Sequence, residues 1–138
     1  MYYVCKTIEI SYAHNLTLPY PSKCRGLHGH NAIITIWCAS EELDQNGMVV
    51  DFTHIKETIS QLDHQYLNDL LPFNTTAENI ARWICEQIPT CYKVKFQESQ
   101  GNVAIYVSEE GTNLLIWLFY NLLFDYSAAG SGVEIVKL

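Results

Sequence analysis

Three histidines stand at positions from which they could bind one metal ion. His28 and His30 are separated by Gly29, and side chains two residues apart in a strand point to the same face. His14 ends a segment in which apolar residues alternate, so it would join them if the two strands are antiparallel neighbours. Three nitrogen ligands with an open fourth position are typical of a catalytic zinc site. Histidine pairs with this spacing also occur by coincidence on ordinary strands, so the spacing alone leaves both interpretations open.

A cysteine close to this pair is a candidate for proton transfer. Cys24 lies in a polar loop four residues before His28, between Lys23 and Arg25. Neighbouring cations and a nearby metal both favour the thiolate form of a cysteine. The remaining cysteines are interpreted as passive small residues; they are Cys5, Cys38, Cys85 and Cys91.

Two further features carry acidic side chains. Asp63 precedes His64 directly after a predicted helix, where the carboxylate could orient the ring for proton transfer. The alternative is a polar helix end whose histidine interacts with the last carbonyls. Glu98 closes an otherwise apolar strand face and suits a ligand edge with two adjacent N–H donors. A strand-end residue turned to solvent explains the parity of Glu98 equally well.

The apolar pattern predicts the elements that position these residues. Alternation predicts strands over residues 4–14 and 31–39, and the inner parity of the second extends back to His28. Helical spacing predicts helices over residues 52–62 and from a capping box, Thr75-x-x-Glu78, to residue 88. A turn at residues 99–102 predicts a hairpin of strands 91–98 and 102–107. This order predicts an α+β domain with a four-stranded antiparallel sheet and two helices packed on one face.

Composition restricts the classes of function. The chain has 138 residues, of which 49% are apolar and 17% charged, as expected for one folded domain. Its net charge of −7 and the absence of a basic run argue against nucleic-acid binding. The N-terminal residues lack the pattern of a signal peptide and the cysteine number is odd, so we expect a cytoplasmic protein with reduced thiols.

An apolar run near the C-terminus needs a separate interpretation. Residues 114–124 are apolar and aromatic but fall short of the roughly 20 residues that span a bilayer, so we expect no membrane insertion. They predict a buried C-terminal helix or a subunit contact, and an altered reading frame would also explain them. Residues 128–132 have the composition of a flexible segment.

The motifs together resemble one known family. They are Ser11-x-x-His14, Cys24-x-x-x-His28-Gly29-His30-Asn31, Gly47-Met48-Val49-Val50-Asp51-Phe52, Leu62-Asp63-His64-x-x-Leu67-Asn68, Thr76-x-Glu78-Asn79, and Glu98-Ser99 followed by Ala104-x-Tyr106. In this order they resemble the 6-pyruvoyltetrahydropterin synthase family over about residues 2–107. Residues 1–107 are therefore interpreted as the pterin synthase domain and residues 108–138 as a C-terminal extension.

The resemblance implies a fold, a metal and a site. It implies the tunnelling fold, in which trimers close a β-barrel and two trimers stack as a homohexamer with active sites between subunits. It implies Zn²⁺ at His14, His28 and His30. Cys24 would be the base and Asp63 with His64 its relay. The pterin would be anchored by Glu98, with Thr76 and Glu78 as further substrate-binding residues.

The distance between the cysteine and the histidine pair separates the subfamilies. Three residues lie between Cys24 and His28, as in enzymes similar to the queuosine-pathway 6-carboxy-5,6,7,8-tetrahydropterin synthase. The implied reaction converts 7,8-dihydroneopterin triphosphate to 6-carboxytetrahydropterin, acetaldehyde and triphosphate, and Lys23 and Arg25 are candidates for receiving the triphosphate. Alternatives are the 6-pyruvoyl product, a catalytically silent pterin- or zinc-binding protein, and a related aldolase or epimerase.

Overall fold

Two long antiparallel strands carry the three histidines. In the computed structural model, which describes the backbone of residues 1–128 and the side chains up to residue 123, strand β1 (Tyr2–His14) pairs with strand β2 (His28–Ser40) over its whole length. Burial alternates along both strands, as the apolar pattern predicts. The register runs from Tyr2 opposite Ser40 to His14 opposite His28, so the histidines meet at one end of the pair.

The sheet has five strands. After a 3₁₀ turn (Lys23–Arg25) and β2, the chain forms helix α1 (Phe52–Ser60), strand β3 (Gln65–Tyr66), helices α2 (Leu67–Leu70) and α3 (Ala77–Gln87), strands β4 (Cys91–Ser99) and β5 (Asn102–Val107), and helix α4 (Glu109–Ala128). The order across the sheet is β3-β1-β2-β4-β5. The four predicted antiparallel strands are present, and β3 adds two residues parallel to β1. A strand of two residues is too short to show a periodic pattern.

Helices α1 and α3 cover one face of the sheet and enclose the core. Helix α1 contributes Ile55 and Ile59, and α3 contributes Ile80 and Ile84, each fully buried. From the sheet they meet side chains that are also fully buried, namely Ala32, Ile34, Ile36, Val94 and Phe96. The helices thereby fix the inner face of β1 and β2, on which the histidines lie.

The start of α3 differs from the predicted capping box by one residue. Thr76, not Thr75, is the N-cap, and its hydroxyl accepts a hydrogen bond from the Asn79 N–H at 3.4 Å. Thr75 is fully buried and its carbonyl accepts a hydrogen bond from His14. Both threonines are good caps, so local propensity cannot choose between them. The Thr75 hydroxyl donates to Asn68 Oδ1, and the Thr76 hydroxyl caps the helix.

Helix α4 begins earlier than the predicted apolar run. Ser108 starts it, because its hydroxyl accepts a hydrogen bond from the Gly111 N–H at 3.0 Å. Several large apolar side chains of α4 are exposed in the single chain: Ile116, Trp117, Phe119, Tyr120 and Leu122.

None of the helices within residues 1–128 has the length and apolar character needed to cross a membrane. Of the segment predicted to be flexible, residues 129–132 lie outside the described residues, and the domain division at residue 107 stays a prediction.

Candidate metal centre and adjoining cavity

The strand register brings the three histidine rings together. The ring centroids of His14 and His28 are 4.5 Å apart, those of His14 and His30 5.2 Å, and those of His28 and His30 5.0 Å. One ring nitrogen from each histidine lies within 4.8 Å of the other two. Among the described residues this is the single group of three or more such side chains with metal-binding spacing.

The hydrogen bonds made by Nδ1 of His14 and of His28 leave the Nε2 atoms of the two rings facing each other. His14 Nδ1 donates to the Thr75 carbonyl and His28 Nδ1 to the Gly26 carbonyl, each at 2.8 Å. A carbonyl only accepts, so both Nδ1 atoms carry hydrogen and both Nε2 atoms of the neutral rings carry lone pairs. These Nε2 atoms lie 3.0 Å apart. Two facing lone pairs repel each other, and a cation bound by both would remove the repulsion.

The environment of His30 also favours a bound cation. Its Nε2 atom is buried and has no hydrogen-bond partner among residues 1–128, which is costly for a polar atom unless it binds something else. Burial lowers the pKa of His14 below its ordinary value, against the opposing hydrogen bond to Thr75. A lower pKa favours the neutral imidazole that a metal requires. The residues present therefore fit a divalent transition metal such as zinc.

Gly29 allows the strands to approach closely between the two histidines of β2. A Cβ atom at this position would lie 2.9 Å from the Tyr12 carbonyl oxygen of β1, closer than two such atoms can approach. Any side chain here would push β2 away from β1 at the point where His28 and His30 must face His14. Glycine is therefore a steric requirement of this centre.

Glu98 and Tyr12 lie beside the histidines. Glu98 Oε1 is 3.8 Å from His14 Nε2 and 3.7 Å from His30 Nε2, so Glu98 faces the centre and not solvent. The Tyr12 hydroxyl donates to the same oxygen at 3.3 Å. Burial, followed by the charge of Glu98, raises the pKa of Tyr12, so its hydroxyl stays protonated as a donor. Sequence reasoning missed Tyr12, although its inner parity two residues before His14 was the available signal.

A cavity of about 410 Å³ opens next to Glu98. Its walls include Thr76 and Glu78 from the start of α3, and Gly101 and Ala104 from the β4–β5 hairpin. The three residues predicted to bind substrate, Thr76, Glu78 and Glu98, thus line one space. That space shares Glu98 with the histidine centre, so a molecule in the cavity can reach both.

Cys24 lies in the loop at the same end of the strands. Its carbonyl accepts a hydrogen bond from the Leu16 N–H at 2.7 Å, which fixes the loop two residues beyond His14. Within the described chain its thiol makes no hydrogen bond. The flanking Lys23 and Arg25 are exposed. The loop is therefore held near the end of β1, and the two residues next to Cys24 in the sequence are exposed cations.

Asp63 and His64 form a pair that has no contact with the histidine centre. Asp63 Oδ1 lies 3.0 Å from His64 Nδ1 and accepts a hydrogen bond from the Ser11 N–H at 2.9 Å. His64 has a positive φ of 57° and its side chain is 78% exposed. Within residues 1–128, no hydrogen bond or ion pair links this pair to Cys24 or to the three histidines. One chain therefore brings the histidines and Glu98 together, but leaves Asp63 and His64 apart.

The fold and the site define an α+β protein with a candidate metal site of three histidines beside a carboxylate. Comparison with known proteins identifies the family. The sequence model of the family described as 6-pyruvoyl tetrahydropterin synthase matches residues 3–109. The chain belongs to this family.

Individual relatives agree with this assignment. The chain is 33% identical to the 6-carboxy-5,6,7,8-tetrahydropterin synthase of Synechocystis, over 83% of this chain and 100% of that protein. It is 30% identical to the 6-pyruvoyl tetrahydrobiopterin synthase of Dictyostelium discoideum, over 63% and 75%. The structure of Caenorhabditis elegans 6-pyruvoyl tetrahydropterin synthase superposes with a TM-score of 0.62 at 25% identity, over 78% of this chain and 96% of that one. The predicted tunnelling fold of the subunit is confirmed.

The Asp63 contacts generate a prediction on pH dependence. The Ser11 N–H and, after it, the His64 ring hold the pKa of Asp63 below its usual value. A depressed pKa means that the carboxylate stabilises the fold above the unfolded-state value of about 4 and loses this effect as the pH falls. We expect Asp63→Asn to lower the free energy of unfolding at neutral pH, and the difference from the wild type to vanish in acid.

Chemical denaturation of both proteins over a pH series measures this difference. The control is Asp69→Asn, which changes an exposed aspartate of α2. A difference for Asp63→Asn that stays constant down to acidic pH would contradict the prediction.

Proposed function

We propose that this protein is a zinc-dependent 6-carboxy-5,6,7,8-tetrahydropterin synthase. It would convert 7,8-dihydroneopterin triphosphate and one water molecule to 6-carboxytetrahydropterin, acetaldehyde and triphosphate, as in queuosine biosynthesis. The observation that carries the proposal is the convergence of His14, His28 and His30 beside Glu98 and its cavity. The name of the Synechocystis relative supports the choice of product.

His14, His28 and His30 would hold the zinc ion through their inward-facing nitrogens. When bound, zinc would polarise the side-chain oxygens of the substrate and acidify the adjacent C–H bond. The Thr75 and Gly26 carbonyls keep the two Nδ1 hydrogens in place and so preserve the ring orientation. The buried position of His14 restricts water on this side of the centre.

Glu98 would bind the pterin ring. A carboxylate can accept two parallel hydrogen bonds from adjacent N–H groups, the arrangement that a pterin presents. The Tyr12 hydroxyl holds one oxygen of Glu98 in position before the ligand arrives. The adjoining cavity of about 410 Å³ has a volume typical of small-molecule sites. Thr76 and Glu78 would contact the ring from the start of α3.

Cys24 would abstract the proton, and Asp63 with His64 would move protons to and from the substrate side chain. The lysine and arginine that flank Cys24 in the sequence are candidates for binding the triphosphate. The exposed His64 is paired with Asp63, as a relay requires, but lies apart from the histidine centre of its own chain. A homo-oligomer, trimer or hexamer, with sites between subunits would bring another copy's relay to the centre.

A second product is favoured by a specific relative. The Dictyostelium discoideum protein is named a 6-pyruvoyl tetrahydrobiopterin synthase, and that reaction would release triphosphate without acetaldehyde. A protein that binds pterin and zinc without turnover is the third candidate. Cytoplasmic location stays a prediction.

Product analysis tests the proposed reaction. Zinc-loaded protein incubated with 7,8-dihydroneopterin triphosphate should yield 6-carboxytetrahydropterin and one acetaldehyde per triphosphate, measured by chromatography with mass spectrometry. A 6-pyruvoyl product without acetaldehyde would assign the second candidate. Substrate that binds and is recovered unchanged would assign the third.

Metal content tests the histidine centre. We expect about one zinc ion per chain, and we expect His28→Ala to lose it, since two nitrogen ligands bind zinc far more weakly than three. Metal analysis after dialysis measures the content. His54→Ala, which changes an exposed histidine of α1, should keep the zinc. Full retention in His28→Ala would remove His28 from the metal site.

A Cys24 variant tests turnover separately from metal binding. Cys24→Ala should retain zinc and lower kcat by about 100-fold or more, because a positioned base contributes at least that factor. Steady-state kinetics together with metal analysis measures both properties. Cys5→Ala, which changes an exposed cysteine of β1, is the control and should keep normal turnover. A near-normal rate for Cys24→Ala would exclude Cys24 as the base.

A further inference from the structure

The position of His14 depends on the course of the chain directly after it. His14 is the last residue of β1, and its pairing with β2 ends at His28. On the other side of β1, the pairing with β3 ends at Ala13. The backbone of Asn15 therefore has no strand partner, and a freely moving residue here would let the preceding histidine move as well.

The side chain of Asn68 takes the place of the missing strand. Its Oδ1 accepts from the Asn15 N–H at 3.0 Å, and its Nδ2 donates to the Asn15 carbonyl at 2.8 Å. A primary amide offers a donor and an acceptor side by side, as a neighbouring strand backbone does. Asn68 lies on α2, which follows β3 directly, so it continues the segment that pairs with β1.

The same amide is linked to the carbonyl that orients the His14 ring. The Thr75 hydroxyl donates to Asn68 Oδ1 at 3.5 Å, and the Thr75 carbonyl accepts from His14 Nδ1 at 2.8 Å. The contacts close a ring from His14 through Asn15, Asn68 and Thr75 back to His14. Thr75 is fully buried and Asn68 partly buried, so water competes little for these bonds.

We propose that Asn68 is a positioning residue for the metal ligand His14. It fixes both the backbone that leaves His14 and the threonine that accepts the ring hydrogen. The proposal rests on the zinc centre proposed above. Groups beyond the ligands that orient a metal-binding histidine typically change metal affinity by about 10–100-fold when removed. Asn68 acts through the backbone and through Thr75, so the lower end of that range applies.

The chain contains a matched control for this effect. Asn74 makes the same pair of hydrogen bonds with Thr17, accepting from its N–H at 2.9 Å and donating to its carbonyl at 3.1 Å. Asn74 is also partly buried. These two hydrogen bonds hold the backbone of Thr17, three residues beyond His14, where a change in position has less effect on the His14 imidazole. Removing the Asn74 side chain costs the fold two exposed hydrogen bonds, whereas removing the Asn68 side chain costs two partly buried ones and the contact with Thr75.

The test compares Asn68→Ala and Asn74→Ala as full-length proteins. Zinc affinity is measured by competition with a chelator, and the visible absorption of the Co²⁺-substituted protein reports the geometry of the ligands. We expect Asn68→Ala to bind zinc about tenfold more weakly than the wild type and to change the Co²⁺ spectrum. Asn74→Ala should also lower the free energy of unfolding, by less because its hydrogen bonds are exposed, yet keep the wild-type affinity and spectrum.

A second variant covers poor folding of Asn68→Ala. Asn68→Asp keeps the acceptor for the Asn15 N–H but turns a carboxylate oxygen toward the Asn15 carbonyl, so it should also weaken zinc binding. Wild-type affinity and spectrum in both Asn68 variants would overturn the assignment, as would equal losses in Asn68→Ala and Asn74→Ala. If the wild type itself binds neither Zn²⁺ nor Co²⁺, the metal centre fails, and the assignment fails with it.

Discussion

The contact between His14 Nε2 and His28 Nε2, at 3.0 Å, is the interaction on which the rest of the site depends. Both rings are hydrogen-bonded through Nδ1 to backbone carbonyls, so neither can turn its lone pair away without losing that hydrogen bond, which is buried for His14 and exposed for His28. The fold thus holds two acceptors against each other. Such an arrangement is unfavourable for the isolated chain and becomes favourable when a cation binds between the nitrogens. The burial of His14 strengthens both effects, because little water is available to screen them.

This constraint explains why irregular segments matter as much as the sheet. The strands bring His14 and His28 to the same height, but the carbonyls that orient the rings come from Gly26 in one loop and Thr75 in another. Each of those loops is held by further contacts, Thr75 by the Asn68 side chain and the loop of Gly26 by a 3₁₀ turn. The regular elements therefore determine which residues meet, while the loops determine how the rings are turned.

The sequence predicted which residues meet, but it gave little indication of how the histidine rings are oriented. Strand alternation predicted that His14, His28 and His30 share one face, because a period of two is visible over residues 4–14. The parity of Glu98 allowed two orientations, and only the packing of β4 beside β2 shows that it faces the histidines. The side-chain clamps join residues more than 50 positions apart, for which local pattern gives no signal. The N-cap at Thr76 was also missed, because the Thr75 hydroxyl donates to Asn68, a contact that helix-capping propensity does not show.

The separation of Asp63 and His64 from the three histidines follows from the same geometry. The Asp63 carboxylate accepts a hydrogen bond from the Ser11 N–H, and the backbone N–H of His64 donates to the Ser11 carbonyl. Both residues are therefore fixed to the side of β1 that faces β3. The histidines occupy the inner face at the end of that strand. Among the described residues, neither Asp63 nor His64 is joined to these histidines by a hydrogen bond or an ion pair. If the proposed assembly is correct, a single chain preorganises metal binding, and only the oligomer completes the groups for proton transfer.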